Sequence, residues 1–216
     1  DWGVAYSQMI AGRIANVAKN SAPTTPDDFR LITVFGLCYR LWTSIQCRSL
    51  LADLDCILPA GLFGNRKGCF PAQLWTQLMW HIETAQHAGE PCSGIMADIV
   101  KAFNTLPRRV VETTVGLMGV PGPVIRAWHG AVYAAQRHFQ IRFSLSGPTP
   151  SSTGYAEGDG MSIIAMMAVN CLFHKWFEAQ QVPIQPVSFV HDWQLLVRHH
   201  VDVQHAMSQL QKFCDM

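Results

Sequence analysis

Asp98 and Asp192 are candidates for a chemical role, because one carboxylate is expected at the end of a strand and the other at the turn of a hairpin. Asp98 follows the short apolar segment SGIMA (93–97), which predicts a strand. His191 and Asp192 lie at the centre of the β-leaning stretch 187–197, which predicts a hairpin with a tight turn. Carboxylate oxygens are the ligands that hard divalent cations need. Taken alone, Asp98 equally fits an ordinary strand-end or helix-cap carboxylate.

The elements that must position these residues can be read from periodicity. Apolar residues spaced three and four apart predict helices, over 35–54, 71–87, 107–118, 122–135, 161–180 and 201–213, with a shorter one over 4–12. Other segments lean to β structure, namely 12–19, 30–34, 93–97, 138–145, 187–190 and 194–197. Pro- and Gly-rich stretches predict loops, over 20–28, 59–68 and 147–158. This order predicts an α+β fold, a small antiparallel sheet backed by helices.

Composition limits the class of protein. The chain has 216 residues, of which 49% are hydrophobic and 14% are charged, so it can bury a large core and is not disordered. This length suits one domain or two merged subdomains. The net charge of +1 carries no information about nucleic acid, so a site for a polyanion must be a local patch of Arg and Lys.

The cysteines and the long apolar segment predict an intracellular protein that does not cross a membrane. Seven cysteines without a C-x-x-C pair predict buried, reduced thiols, and nine histidines show no zinc-ligand spacing. The apolar segment 161–177 is interrupted by Asn170, His174 and Lys175, which favours a buried helix. No signal peptide opens the chain, and we expect a nuclear or cytoplasmic fragment of a longer protein.

Five segments in this order resemble the sequence motifs of reverse transcriptases, especially those of non-LTR retrotransposons and group II introns. The family motifs read like y-R-P-I-s-l, g-F-R-x-g-r-s, D-I-x-K-A-F-D, P-Q-G-x-P-L-S-P and a-D-D. The corresponding segments here are DDFRLITVFGLCYRLWTSI (27–45), GLFGNRKGCFPAQLWTQL (61–78), CSGIMADIVKAFNTLPRR (92–109), STGYAEGDGMSIIAM (152–166) and VSFVHDWQLLV (187–197). The resemblance spans about residues 12–213.

The resemblance implies a right-hand polymerase core with fingers and palm but no thumb. Residues 1–216 would form one such core, in which about 12–91 are fingers with part of the palm and 92–216 are mainly palm. The implied reaction is RNA-templated DNA synthesis by two-metal nucleotidyl transfer. The implied partners are an RNA template, a DNA primer and deoxynucleoside triphosphates, with two Mg²⁺ or Mn²⁺ ions as cofactors.

The resemblance also assigns metal ligands and part of a nucleotide pocket. Asp98, Asp192 and the carbonyl of Ile99 align with metal ligands of the family. Glu157 and Gly158 align with its Gln-Gly, where glycine lets the backbone approach the nucleotide closely.

Further residues align with contacts to the nucleotide and the template. Phe103 aligns with the aromatic residue that excludes a 2′-hydroxyl, and Arg30 with a fingers arginine that grips the triphosphate. Lys19 would support the phosphates. Arg66 and Lys67 would touch template phosphates, although a merely solvated loop fits them as well.

The sequence departs from the family pattern at several positions. His191 stands at the first hairpin aspartate, a catalytic position whose carboxylate binds both metals in the family. An imidazole cannot bridge two hard cations. Asn104 replaces an outer aspartate, Glu157 a glutamine, and Leu31 and Gly160 replace prolines. These changes predict a decaying mobile-element copy with impaired activity.

The sequence leaves open whether the chain still catalyses. The alternative is a non-catalytic nucleic-acid-binding or structural remnant, and metal-dependent nucleotide incorporation separates the two. An unrelated helical enzyme is a third class, although no hydrolase or Rossmann motif supports it. The motif order predicts that the carboxylates of Asp98 and Asp192 lie within about 10 Å of each other, because two-metal sites are compact.

Overall fold

The computed structural model describes residues 7–180 and 184–216 and divides the chain into two compact units. The first unit contains Asp1–Asp53 and Lys101–Ala165, and the second contains Leu54–Val100 and Met166–Met216. The helices are α1 (Ser7–Ile10), α2 (Leu37–Leu54), α3 (Pro71–Ala88), α4 (Ala102–Thr105), α5 (Arg108–Leu117), α6 (Gly122–Ala134), α7 (Ser162–Ala179) and α8 (His200–Cys214). The strands are β1 (Gly12–Ala18), β2 (Phe29–Phe35), β3 (Ser93–Asp98), β4 (Arg137–Ile141), β5 (Ser144–Thr149), β6 (Ile184–Phe189) and β7 (Asp192–Val197).

The first unit contains a four-stranded sheet in the order β2-β1-β4-β5. β1 pairs antiparallel with β2 and parallel with β4, so this sheet is mixed rather than purely antiparallel. One buried cluster of this unit joins helix and strand residues, namely Ile10, Phe35, Tyr39, Ala131 and Ala156. The fold therefore mixes helices with two small sheets, where the sequence predicted a single antiparallel sheet.

The predicted strand over 138–145 is wrong in its extent. The structure divides this region into β4 and β5, joined by a turn at Arg142 and Phe143, and β5 takes in the first residues of the predicted loop 147–158. Arg142 has a φ of +55°, a conformation usually taken by Gly or Asn in such turns. The sequence HFQIRFSL contains neither residue, so its uninterrupted alternation concealed the turn.

The second unit contains a three-stranded antiparallel sheet in the order β3-β7-β6. On one face, Trp193 stacks on Phe173 of α7 with ring centroids 4.4 Å apart. On the other face, Leu74 of α3 packs with Val187 and Leu196. Successive strand residues point to opposite faces, so one short strand serves both layers.

The structure tests the predictions for the apolar segment and the cysteines. α7 begins and ends close to the predicted bounds, and no helix in the described ranges is long and apolar enough to cross a membrane. None of the seven cysteines, all of which lie in the described ranges, forms a disulfide. The prediction that they are buried is wrong for those that lie on exposed segments, namely Cys38, Cys56, Cys92 and Cys214.

A buried histidine links α7 to the sheet of the second unit. His174 is 2% exposed, and its Nε2 lies 2.9 Å from the hydroxyl oxygen of Ser188 on β6. Burial lowers the pKa of His174 from 6.5 to about 4, because the charged imidazolium would lose its hydration. The unfolded chain therefore binds this proton more readily than the folded chain at pH values between these two.

We predict that His174 makes the fold sensitive to acid. Its contribution is constant above the unfolded pKa and is lost as the pH falls from about 6.5 towards about 4. Between pH 7 and pH 5 the free energy of unfolding should fall by about 2 kcal/mol more in the unmodified chain than in His174→Gln. Urea unfolding at both pH values measures this difference. The exposed His87→Gln should behave as the unmodified chain does, and equal losses in all three proteins would contradict the prediction.

Candidate functional site

The strand ends of β3 and β7 bring three sequence-predicted site residues together. Asp98 is the last residue of β3 and is paired in antiparallel register with Asp192, the first residue of β7. The backbone N–H of Ile99 donates a hydrogen bond to the carbonyl of His191 at 3.2 Å, which extends the pairing by one step. Ligand atoms of Asp98, His191 and Asp192 all lie within 4.8 Å of one another. We call these three residues the carboxylate cluster.

The carboxylate cluster is open to solvent and rich in negative charge. The side chain of Asp98 is 67% exposed and that of His191 is 46% exposed, and His191 Nε2 lies 3.7 Å from Asp98 Oδ1. The two form an ion pair only when the imidazole is protonated. Two adjacent carboxylates suit a divalent cation, whereas the imidazole nitrogen is a ligand that Mn²⁺ or Zn²⁺ accepts more readily than Mg²⁺.

The turn that carries His191 is strained. Phe189 pairs with Asp192, so the hairpin turn consists of only Val190 and His191. Val190 has a φ of +54°, which glycine usually supplies at this position of a two-residue turn. A β-branched residue in this conformation costs about 1–3 kcal/mol and persists only when neighbouring contacts fix it.

Two residues distant in sequence fix the turn. The side-chain amide of Asn170 on α7 donates to the carbonyl of Val190 at 2.8 Å, and its oxygen accepts from Trp193 Nε1 at 2.7 Å. Gly64 lies so close to the backbone of Val190 that a Cβ atom there would collide with the Val190 nitrogen. Asn170 and Gly64 therefore hold both sides of the turn. Sequence analysis did not predict these roles. In the sequence, Asn170 is only a polar residue that interrupts an apolar helix.

In the first unit, the loop with Glu157 and Gly158 lies between α4 and β2. The N–H of Tyr155 donates to the carbonyl of Phe103 at 2.6 Å, and the carbonyl of Glu157 accepts from the N–H of Thr33 at 2.6 Å. Gly158 has a φ of +106°, and a Cβ atom there would collide with the Thr33 carbonyl. Glycine is therefore required by the backbone itself. The structure brings Phe103, Glu157 and Gly158 into one neighbourhood.

The predicted phosphate-binding residues of the first unit are exposed on its edge. Arg30 lies on β2, paired with Val17 of β1, and its side chain is exposed. Lys19 directly follows β1, and its N–H donates to the carbonyl of Asp28 at 2.8 Å. These positions do not test the predicted contacts of Arg30 and Lys19 with a triphosphate, which stay predictions.

Arg66 and Lys67, the predicted template contacts, differ in their surroundings. Arg66 Nε donates to Asp55 Oδ1 at 2.8 Å, and its Nη1 donates to the carbonyls of Pro59 and Leu62. This guanidinium therefore braces its own loop. Lys67 is exposed beside it. A role for either residue towards a template stays a prediction.

Two departures from the family pattern contact each other. The Nδ2 of Asn104 donates to Glu157 Oε1 at 3.5 Å. The family pattern has an aspartate and a glutamine at these positions, and this chain has an asparagine and a glutamate. The resemblance therefore implies that the carboxylate and the amide have changed places, and the pair here contains one of each.

A buried carboxylate is a further feature that sequence analysis missed. Asp159 is 5% exposed. It accepts hydrogen bonds from Tyr39 Oη at 3.1 Å, Trp128 Nε1 at 3.3 Å and the Met161 N–H at 3.1 Å. Burial raises the pKa of Asp159, and these hydrogen bonds oppose the rise. Asp159 thereby joins α2, α6 and the approach to α7. Its place next to an apolar helix reads from sequence as a simple cap.

Known structures share this fold. Telomerase from Candida tropicalis in complex with a TWJ fragment of telomeric RNA has a TM-score of 0.71 and 11% sequence identity over 97% of this chain and 40% of that one. Telomerase from Candida albicans with the same kind of fragment has a TM-score of 0.67 and 11% identity, over 96% and 40%. An apo Candida tropicalis telomerase truncated from its C-terminal domain has a TM-score of 0.68 and 11% identity, over 99% and 48%.

These likenesses show a reverse-transcriptase-like fold. The chain spans 40–48% of the length of these telomerase chains, and 11% identity carries no information beyond the fold. No protein-family profile and no curated protein sequence matches the chain.

We predict that Asn170→Ala destabilises the second unit by about 2–5 kcal/mol. The change leaves the buried Trp193 Nε1 and the partly buried carbonyl of Val190 without their partner. An unsatisfied buried group costs about 1–3 kcal/mol, and the partly buried carbonyl adds a smaller loss. Urea unfolding measures the loss. Asn16→Ala, at an exposed position on β1, is the control and should cost less than about 0.5 kcal/mol. A loss below about 1 kcal/mol in Asn170→Ala would show that the turn does not depend on this amide.

We predict that the Asn104–Glu157 exchange is energetically coupled. Asn104→Asp places two carboxylates together and should cost about 1–2 kcal/mol, whereas Glu157→Gln should cost less than about 1 kcal/mol. The double variant restores an amide–carboxylate pair and should lie within about 0.5 kcal/mol of the unmodified chain. A double-mutant cycle by urea unfolding yields the coupling energy. Additive losses would mean that the two substitutions are independent.

Proposed function

We propose that this chain is a reverse-transcriptase domain of retroelement descent, built for RNA-templated DNA synthesis and impaired at one catalytic position. One observation carries the proposal: Asp98 and Asp192 are paired at adjoining strand ends, with His191 beside them. The reverse-transcriptase-like fold supports the same conclusion. An accidental pair of exposed aspartates would have no reason to coincide with the motif positions of that family.

The carboxylate cluster has ligands that suit one divalent cation, and it is less suited to binding a second one. Asp98, Asp192 and the carbonyl of Ile99 would hold Mg²⁺ or Mn²⁺ through oxygen. The bound metal would supply the positive charge that stabilises the phosphates during nucleotidyl transfer. His191 offers a nitrogen ligand and no negative charge where the family pattern has a carboxylate. We therefore expect weak binding of a second ion, and better tolerance of Mn²⁺ than of Mg²⁺.

Residues of the first unit would bind the incoming deoxynucleoside triphosphate. Arg30 and Lys19 would pair with its phosphates, because a guanidinium matches phosphate oxygens in a bidentate manner. Phe103 would exclude a 2′-hydroxyl. The resemblance also implies that the backbone at Glu157 and Gly158 lies along the nucleotide, although Gly158 itself is required by its close approach to the carbonyl of Thr33.

An RNA template and a DNA primer are the proposed macromolecular partners. Two of the Candida telomerases of similar fold are in complex with a fragment of telomeric RNA, which supports nucleic acid as the class of partner. Lys67 would contact template phosphates, with Arg66 holding the loop that presents it. The chain is nearly neutral overall, so such binding would rely on these local charges.

A second candidate function is a non-catalytic nucleic-acid-binding or structural remnant. His191 favours it, because losing one of the metal-binding carboxylates removes much of the electrostatic stabilisation on which phosphoryl transfer depends. Both candidates share the fold, and a nucleic-acid-binding remnant would also share the nucleic-acid partner, whereas a purely structural remnant would not. The two candidates differ in whether nucleotides are incorporated.

We predict that His191→Asp restores polymerase activity. The substitution returns a carboxylate to the carboxylate cluster and should let it hold two ions. In the full-length protein, primer extension on an RNA template should be absent or Mn²⁺-dependent with His191 and Mg²⁺-dependent with His191→Asp. Rates should differ by at least about 10²-fold in Mg²⁺, since the loss of one stabilising group usually costs about 10²- to 10³-fold.

Two controls separate the carboxylate cluster from the fold. His191→Asn lacks the charge and should stay inactive, and Asp98→Asn added to His191→Asp should abolish the restored activity. Melting temperatures of the variants show whether each remains folded. Robust Mg²⁺-dependent extension by the unmodified protein would sink the proposed impairment. Inactivity of a folded His191→Asp would favour the non-catalytic remnant.

A further inference from the structure

A cavity lies in the second unit, between α3 and the ends of β6 and β7 that are distant from the hairpin turn. Its volume is about 360 Å³, at the lower end of the range of about 300–1,000 Å³ for small-molecule sites. α3 supplies most of its wall from one face. The lining includes Thr76, Gln77, Trp80 and His81 from α3, Gln185 from β6 and Arg198 after β7.

The cavity is separate from the carboxylate cluster. Asp192 begins β7, whereas Arg198 follows its last residue, Val197. Six residues of extended strand span about 20 Å. The cavity and the carboxylate cluster therefore cannot be parts of a single small-molecule site.

Two buried polar atoms at the cavity have no hydrogen-bond partner. They are Gln77 Oε1 and His81 Nε2, whose residues lie four positions apart on one face of α3. Buried polar atoms in folded proteins are nearly always hydrogen-bonded, so each such exception needs an explanation. Both atoms are closed to solvent in this arrangement, so a ligand with hydrogen-bonding groups along one edge would pair with them once the two partly exposed side chains turn towards the cavity.

The remaining chemistry of the cavity points to a planar, anionic ligand. The indole of Trp80 is 72% exposed, so its face is open for stacking. Arg198 adds a positive charge, and neither Asp nor Glu is among the described residues that line the cavity.

We infer that this cavity binds one nucleotide: its base stacks on Trp80, the edge of the base bonds to Gln77 and His81, and its phosphate pairs with Arg198. Bases carry donors and acceptors along one edge and stack on aromatic side chains. A guanidinium is the side chain best suited to a phosphate. A free mononucleotide and a nucleotide within a single strand share this chemistry.

Calorimetric titration of the whole chain in EDTA tests the inference. EDTA removes metal-dependent binding at the carboxylate cluster, so the outcome does not depend on the proposed polymerase function. Adenosine 5′-monophosphate and a short oligoadenylate should bind, and ribose 5-phosphate and inorganic phosphate should bind at least tenfold more weakly. Tighter binding of the oligomer would identify a strand as the ligand, and binding of the monophosphate alone would identify a free nucleotide.

Single substitutions test each contact. Trp80→Ala should weaken binding about 5- to 100-fold, as expected for the loss of base stacking. Gln77→Leu should weaken it about 3- to 30-fold, and Arg198→Gln should also reduce its dependence on salt. The matched control is Trp75→Ala, which removes another exposed tryptophan of α3 that does not line the cavity and should change nothing.

Three results would overturn the inference. They are no binding of either adenosine ligand, equal binding of ribose 5-phosphate and adenosine 5′-monophosphate, or equal effects of Trp80→Ala and Trp75→Ala. Because Trp80 and Arg198 are exposed, their variants should melt at the same temperature as the unmodified chain. Gln77→Leu provides an independent test from the buried side of the cavity.

Discussion

The antiparallel register of β3 and β7 is the constraint on which the carboxylate cluster depends. Directly opposed residues share one face of a sheet, so the pairing of Asp98 with Asp192 sets the two carboxylates side by side. A slip of one residue would turn one of them to the opposite face, where Trp193 packs on Phe173. Burial of that tryptophan therefore stabilises the fold and fixes the register. The amide of Asn170 reinforces it, because one side chain bonds both Trp193 and the strained turn at Val190.

Much of this fold could be predicted from the sequence. The helices and most strands follow from apolar spacing, and the proximity of Asp98 and Asp192 follows from a strand end and a hairpin turn that belong to one sheet. The turn at Arg142 could not be predicted, since its residues lack the glycine or asparagine that normally marks such a conformation. A sequence pattern predicts a turn, helix or strand only when its residues are of the types that usually adopt that conformation.

Features that depend on contacts between distant segments stayed hidden for a different reason. Asn170, Gly64 and Asp159 matter because of what lies opposite them in space, and each looks ordinary within its own segment. The same holds for the unpartnered atoms of Gln77 and His81, which are visible only once α3 is packed. Sequence reasoning named the three residues that the structure brings together in the carboxylate cluster, but it missed the residues that position them.

The departures from the family pattern do not all have the same meaning. Buried contacts such as those of Asp159 stabilise any folded chain, so their presence does not distinguish a working site from a remnant. The Asn104–Glu157 pair is different. A half-buried polar pair contributes little to stability, so stability alone does not explain why it is kept. Relative to the pattern that the sequence resembles, the carboxylate and the amide are exchanged and neither is lost. Independent drift would have no reason to keep one of each. The loop at Glu157 therefore keeps an amide beside a carboxylate, whereas the carboxylate cluster has an imidazole beside its two carboxylates. Under the proposed function, the first arrangement leaves the polar chemistry of the loop in place and the second weakens metal binding at one residue.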